Sequence, residues 1–231
     1  SIGCTKDGRT IFWQQDAAGN VRTGQVMRYD PRTGRRSRGP GAMDWAHAIL
    51  KRKGRLPADF NLRQCLYGEH LLKARPEATV VLVESAKSAA ICFALLPEFL
   101  WCATVGKAGF SPERCRVLSG RKVVIIPDAD AHEEWSAKAP VVANAVGCEI
   151  VVSDFLIRHC TRQQRDTGYD IADYIIDQLD DGIPPEYAAD KLREAIGSLF
   201  IPARLAELIA GCLKEPFKNR TAPKMVALTQ N

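Results

Sequence analysis

An α/β fold is predicted, with a four-stranded parallel sheet and flanking helices set between a small basic β-rich subdomain and a helical C-terminal extension. Three observations predict it. Four apolar, β-branched runs (Thr79 to Val83, Leu100 to Val105, Lys122 to Ile126 and Cys148 to Val152) recur at intervals of about two dozen residues with helical sequence between them. Ahead of them lie short strand-like runs split by turn sequences, and behind them the pattern becomes helical. The expected domains are 1–75, 76–180 and 181–231.

The front region reads as an antiparallel meander. Thr10 to Gln14 and Val21 to Tyr29 are strand-like, separated by Ala17-Ala18-Gly19-Asn20 and closed by Asp30-Pro31-Arg32-Thr33-Gly34. A glycine-rich basic loop, Arg35 to Gly41, follows, then a short helix over Asp44 to Lys51 and the run Lys51-Arg52-Lys53-Gly54-Arg55. Between the parallel strands, Ser85 to Leu96 is rich in alanine and leucine, and Glu133 to Val146 is helical with a kink or break expected at Pro140. Helices are expected over Ile171 to Leu179, Pro185 to Phe200 and Pro202 to Leu213, the last two opened by proline. The polar tail from Lys218 is expected to be loosely held.

Composition narrows the class. Among 231 residues, 46% are hydrophobic and 26% charged, which suits a globular protein and excludes collagen, disordered and coiled-coil chains. No stretch of about 18 uncharged apolar residues and no signal-peptide pattern occurs, so no membrane partner is expected. The eight cysteines never fall at zinc-knuckle spacing, and several lie within apolar runs, which predicts reduced thiols and a cytoplasmic setting. No Gly-x-Gly-x-x-Gly follows a strand, which disfavours an NAD-type site.

Charge is unevenly distributed. Residues 1–75 carry 15 Lys and Arg against 6 Asp and Glu, a balance of +9, whereas the remainder carries 17 against 21, a balance of −4. A polyanion-binding front and a cation-holding back follow, with an unevenly charged solvated surface as the competing reading. In the front, Arg22, Arg28, Arg32, Arg35, Arg36 and Arg38 lie among Trp13 and Tyr29, with Lys51, Arg52 and Lys53 beyond. Cations among aromatics can track a single-stranded backbone and stack its bases, although Trp13 reads better as core.

Ligands of a parallel sheet gather at the carboxyl ends of its strands. Glu84 directly follows the first run, and Asp128-Ala129-Asp130 follows the third after Pro127. The period of two points Asp128 and Asp130 the same way. Three carboxylates at one edge repel unless a hard cation sits among them, and oxygen-only ligation suits Mg²⁺ or Mn²⁺. Taken singly, a glutamate opening a helix and an Asp-x-Asp turn are commonplace. Their joint order is the stronger signal. Val105-Gly106-Lys107-Ala108-Gly109 ends the second run, and a flexible phosphate clamp through Lys107 competes there with an ordinary strand–helix turn. Of the four histidines, none at metal spacing, only His132 lies near these acids.

Val-Leu-Val-Glu-Ser-Ala-Lys-Ser-Ala (81–89) and Val-Val-Ile-Ile-Pro-Asp-Ala-Asp (123–130) resemble the two signature motifs of the Toprim domain, found in bacterial primases, type IA and type II topoisomerases and small nucleases. The resemblance spans about residues 68–180, and residues 10–75 are similar to the basic subdomain preceding Toprim in primases. The whole is most similar to primase-type Toprim proteins of bacterial mobile elements. The resemblance implies Glu84 as general acid or base and Asp128 and Asp130 as the Mg²⁺-binding pair; Lys87, in the first motif, and Lys107, in the glycine loop, are the phosphate-binding candidates. Asp170 and Asp173 occupy the place of a further acidic motif, with a helix N-cap as the alternative. Three departures stand out: Ser85 replaces the usual glycine, no second acid follows Glu84, and Ala131-His132-Glu133-Glu134 replaces a glycine turn.

The function implied is primase-like, metal-dependent nucleotidyl transfer on single-stranded DNA in mobile-element replication, with nucleoside triphosphates as substrates and a helicase or other replication protein as a partner. The alternatives are a Toprim nuclease and a non-catalytic nucleic-acid-binding module. Ser85 and the missing acid favour the module, and the basic subdomain favours the primase.

Overall fold

In the computed structural model, which describes residues 1–200, the front half forms an antiparallel sheet of β1 (Ile2–Cys4), β2 (Thr10–Gln15), β3 (Val21–Met27) and β4 (Met43–Trp45) in sequential order. The central pair matches the expected meander. The flanking three-residue strands β1 and β4 carry too short a pattern to be read from sequence. Helix α1 (Ala46–Arg52) therefore starts two residues later than expected, because Asp44 belongs to β4. Trp13 lies across Gly3 and Gly24: a Cβ on Gly24 would sit 2.8 Å from the indole ring, so glycine there is what lets the ring lie flat on the neighbouring strand.

The back half is the expected α/β sheet. In chain order it contains β5 (Val80–Val83), α2 (Ala86–Leu95), β6 (Leu100–Ala103), α3 (Pro112–Cys115), β7 (Lys122–Ile125), α4 (His132–Val146) and β8 (Glu149–Val152). These are followed by α5 (Phe155–His159), α6 (Arg162–Arg165), α7 (Ile171–Asp180) and α8 (Pro185–Ser198). The strands are all parallel, in the order β6-β5-β7-β8. Every residue of β5 and β6 is buried, which is why their sequences are continuous apolar runs rather than alternating ones. Burying one such aliphatic side chain contributes about 1.5–3 kcal/mol, so neither β5 nor β6 contains a charged residue. The core gathers Leu66, Leu82, Leu100, Val123, Ile125, Trp135 and Val142 between sheet and helices.

Helix α4 corrects the expected break. It runs through Pro140 without interruption, because Trp135, Ala139, Val142 and Val146 form a buried stripe that holds both halves down. Pro140 itself is exposed, so its missing N–H and the carbonyl it strands lie on the solvent side. The expected helix over Pro202 to Leu213 and the tail from Lys218 lie outside the described residues.

The segment 66–69 joins the two sheets. Tyr67 pairs with Ala103 of β6 through reciprocal backbone bonds of 2.9 and 3.0 Å. The Glu69 carboxylate accepts the N–H of Ala17 at 3.0 Å and that of Leu66 at 3.1 Å. Phe12 meets Tyr67 edge to face at 5.8 Å.

Candidate active site

The strand order makes β5 and β7 central neighbours, so Glu84 and Asp128 leave the carboxyl ends of adjacent strands. Ile126 still donates its N–H to Leu82 at 3.0 Å, which carries the pairing to the last residues before the acids. Asp128 then breaks into extended backbone ahead of a single 3₁₀ turn, Ala129–Ala131, with no side-chain cap bond. Oε2 of Glu84 is buried and has no hydrogen-bond partner. Burial raises the Glu84 carboxyl above its usual range; Lys107 lowers it, and Asp130 and Asp170 raise it again. Burial, followed by Asp170, Glu84, Asp130 and Asp173, holds the Asp128 carboxyl well above the usual range. The five acids therefore share one electrostatic field.

Two lysines divide that field. Lys107 Nζ lies 2.6 Å from Oδ2 of Asp130, a pair with side chains 38% and 32% exposed. Lys87 Nζ lies 3.1 Å from Asp173 and 3.4 Å from Asp170, with only 14% of its side chain exposed. Burial lowers the Lys87 ammonium, but Asp170 and Asp173 outweigh it and raise the group overall. Asp170 is the N-cap of α7 in a capping box with Asp173, so the pair is brought to the edge by the start of a helix that packs on α2. His132 opens α4 half-buried beside the 3₁₀ turn.

The loop carrying Lys107 is pinned, in contrast to the flexible clamp expected from its glycines. Val105 and Gly106 both donate their N–H groups to the Glu84 carbonyl, at 2.9 and 3.3 Å. Val105 sits at φ 56°, a left-handed conformation that a β-branched residue rarely adopts, and Gly106 follows at φ 114°. Arg114 locks the other side, donating to the Thr104 carbonyl at 2.9 Å and to Gln64 at 2.5 Å. Neither Val105 nor Arg114 carries a motif that would single it out. Their roles arise from chain crossings that sequence spacing does not encode.

The basic residues are spread over several places. Arg32, Arg36 and Arg38 are exposed on the loop after β3, and Arg35 reaches Asp177 of α7 at 3.6 Å. Tyr29 on the same segment is half-buried, and that burial, reinforced by Asp170, pushes its phenol upward. This loop therefore stands beside the helix that carries Asp170 and Asp173. Arg28 pairs with Asp7 at 3.2 Å and Arg52 with Asp44, while Lys51 and Lys53 are exposed. Arg22 donates to the Arg63 carbonyl at 3.2 Å and lines, with Arg63, Arg114 and Arg116, a cleft of about 400 Å³. None of the five acids lines that cleft.

The donors at the sheet edge are all carboxylate oxygens, which fits a hard divalent cation rather than zinc or copper. The orphaned Glu84 oxygen and the upward push the acids exert on one another fit it too. Among the described residues no three His, Cys, Asp or Glu side chains are already gathered as a metal-holding group. Asp130 is held by Lys107 and the Asp170–Asp173 pair by Lys87. Among the described residues no helix is long and apolar enough to cross a membrane.

A family model described as a domain of unknown function, DUF6371, matches residues 1–129, a span that includes Glu84 and Asp128. No curated protein sequence matches the chain. Among solved structures, the chain is similar to the zinc-binding and RNA polymerase domains of the Aquifex aeolicus primase, at 16% identity and a TM-score of 0.47. That alignment covers 90% of this chain and 52% of the primase chain, so the chain spans about half of its length. The RNA polymerase domain of Mycobacterium tuberculosis primase DnaG aligns over 91% of this chain and 74% of its own, at 14% identity and a TM-score of 0.41. A DnaG primase catalytic domain bound to single-stranded DNA aligns over 77% and 59%, at 15% identity and a TM-score of 0.42.

Proposed function

Because this chain belongs to the DUF6371 family, whose description names no activity, we propose its function from the site itself: divalent-metal-dependent, primase-like nucleotidyl transfer on single-stranded DNA. The observation that carries this reading is the pair of acids on adjacent central strands, Glu84 with a buried unpartnered oxygen and Asp128 held well above the usual carboxylate range by burial and then by its acidic neighbours. When bound there, a divalent cation neutralises triphosphate charge and orients the attacking hydroxyl.

Asp128 and Asp130 would hold the cation, and Glu84, whose carboxyl is pushed upward, is suited to take and return a proton. Lys107 is exposed enough to exchange Asp130 for a phosphate oxygen, and its pinned backbone keeps it at the edge while it does so. Arg32, Arg36 and Arg38 supply phosphate contacts for the strand, next to α7. The test is incubation with a single-stranded template, labelled ribonucleotides and Mg²⁺ or Mn²⁺. New oligomers are expected. Template cleavage instead would assign the same acids to a nuclease, and neither product would leave a nucleic-acid-binding module.

A further inference from the structure

Accounting for each carboxylate oxygen separates the five acids into two groups. In the Asp170–Asp173 pair all four oxygens are engaged. Oδ1 of Asp170 accepts the Asp173 N–H at 2.8 Å, and Oδ2 of Asp173 accepts the Asp170 N–H at 3.4 Å. The remaining two oxygens converge on one point, the Lys87 ammonium, at 3.4 Å from Asp170 and 3.1 Å from Asp173. That point is where an ion bridging the two carboxylates would sit, after a contraction to the 2.0–2.6 Å typical of hard cations. Lys87 is anchored on α2, is 14% exposed, and its two partners are 10% and 21% exposed. Displacing it would strand a buried ammonium, which costs far more than parting an exposed pair.

The other group differs. Glu84 keeps a buried oxygen without a partner, and the cation neutralising Asp130 is the more exposed Lys107. We propose that Lys87 is a built-in cation that closes the Asp170–Asp173 pair to metal, so that this edge takes one divalent ion, at Asp128 and Asp130 beside Glu84. The inference rests on the metal-dependent reading above and adds to it the stoichiometry and the residue that sets it. Lys87 is then a positioning residue: it ties α2 to the start of α7 and replaces a second ion's charge. It does not reach phosphate, the role that its place in the motif suggested.

The experiment counts Mn²⁺ ions on the full chain by calorimetric titration and by the electron paramagnetic resonance of free Mn²⁺, with no substrate present. Wild type is expected to bind one ion, and Lys87→Ala, which empties the point between the two carboxylates, is expected to bind two. Lys87→Arg keeps the charge and should stay at one. Asp173→Asn should also stay at one, with an affinity within about tenfold of wild type, equivalent to about 1.4 kcal/mol. Two ions on the wild type, or one on a folded Lys87→Ala, overturns the inference while leaving the metal reading intact. No ion on the wild type overturns the metal reading itself and this inference with it. If Lys87→Ala does not fold, Asp173→Asn decides: loss of the wild-type ion in that variant overturns the proposal, and retention supports it.

Discussion

Asp128 is pressed by burial and then by four other carboxylates, and this makes it the sharpest single-residue test of the site. Asp128→Asn keeps the shape and removes the charge. Metal-held charge stabilisation is worth several kcal/mol, so nucleotidyl transfer in that variant is expected to fall by about 10²-fold or more. Single-strand affinity, measured by fluorescence anisotropy, should hold or rise slightly, because a repulsive charge has gone. Retained transfer would limit the Toprim resemblance to the fold. Glu69 offers a second residue-scale test, remote from catalysis. Burial raises its carboxyl above the usual range; the Ala17 and Leu66 N–H groups pull it back, and Asp16 pushes it up. A carboxyl whose folded pKa exceeds its unfolded value of about 4.3 keeps more protons in the folded state, so its contribution to stability falls as pH rises through that window. Glu69→Gln does not titrate. The stability of wild type relative to this variant, from urea unfolding, is therefore expected to fall as pH climbs from about 4 toward neutrality; a rise would mean that hydrogen bonding to the charged form dominates instead.

At the scale of elements, strands were legible and the loop between β6 and α3 was not. β5 to β8 fall within the four apolar runs because burial on both faces writes itself into consecutive residues. The second run overshoots: Thr104 and Val105 look like strand but lie beyond β6, where bonds to the backbone of Val83 and Glu84 turn the chain. Helix α4 shows the same limit from the other side, since whether a proline ends a helix depends on where its ring points. Pro140→Ala restores one donor to a helix already held by its buried stripe. A helix-interior proline costs about 3 kcal/mol, but here the stranded carbonyl faces water, so a gain of about 1–2 kcal/mol is expected. That corresponds to about 2–8 °C in Tm by calorimetry or circular dichroism. An unchanged or lower Tm would mean that proline is favoured at this site.

For the whole molecule, the proposed division of labour between a basic front and an acidic edge predicts a salt signature. Replacing Arg32, Arg36 and Arg38 together by glutamine should weaken binding of single strands similarly across sequences. It should also reduce the slope of log affinity against log salt by about 2, at about 0.7 for each phosphate that is no longer neutralised. The acids should be untouched, so Mn²⁺ stoichiometry should not change. An unaltered slope would place the strand elsewhere, the exposed basic run Lys51-Arg52-Lys53 at the end of α1 being the next candidate.

The sequence by itself determined the α/β architecture, the antiparallel front, the +9 balance of residues 1–75 and the position of Glu84, Asp128 and Asp130 just past buried strands. All of these follow from local properties: periodicity, burial of consecutive residues and charge per segment. Asp170 and Asp173 remained ambiguous, because a metal ligand and a capping box use the same residue types at the same spacing. Only the tertiary structure decided how each charge is partnered. Lys87 reaches Asp173 across 86 residues of chain, and Lys107 reaches Asp130 across 23. Such pairings depend on which helix starts beside which strand, and no local pattern records them because the groups meet only once the sheet and its helices have packed.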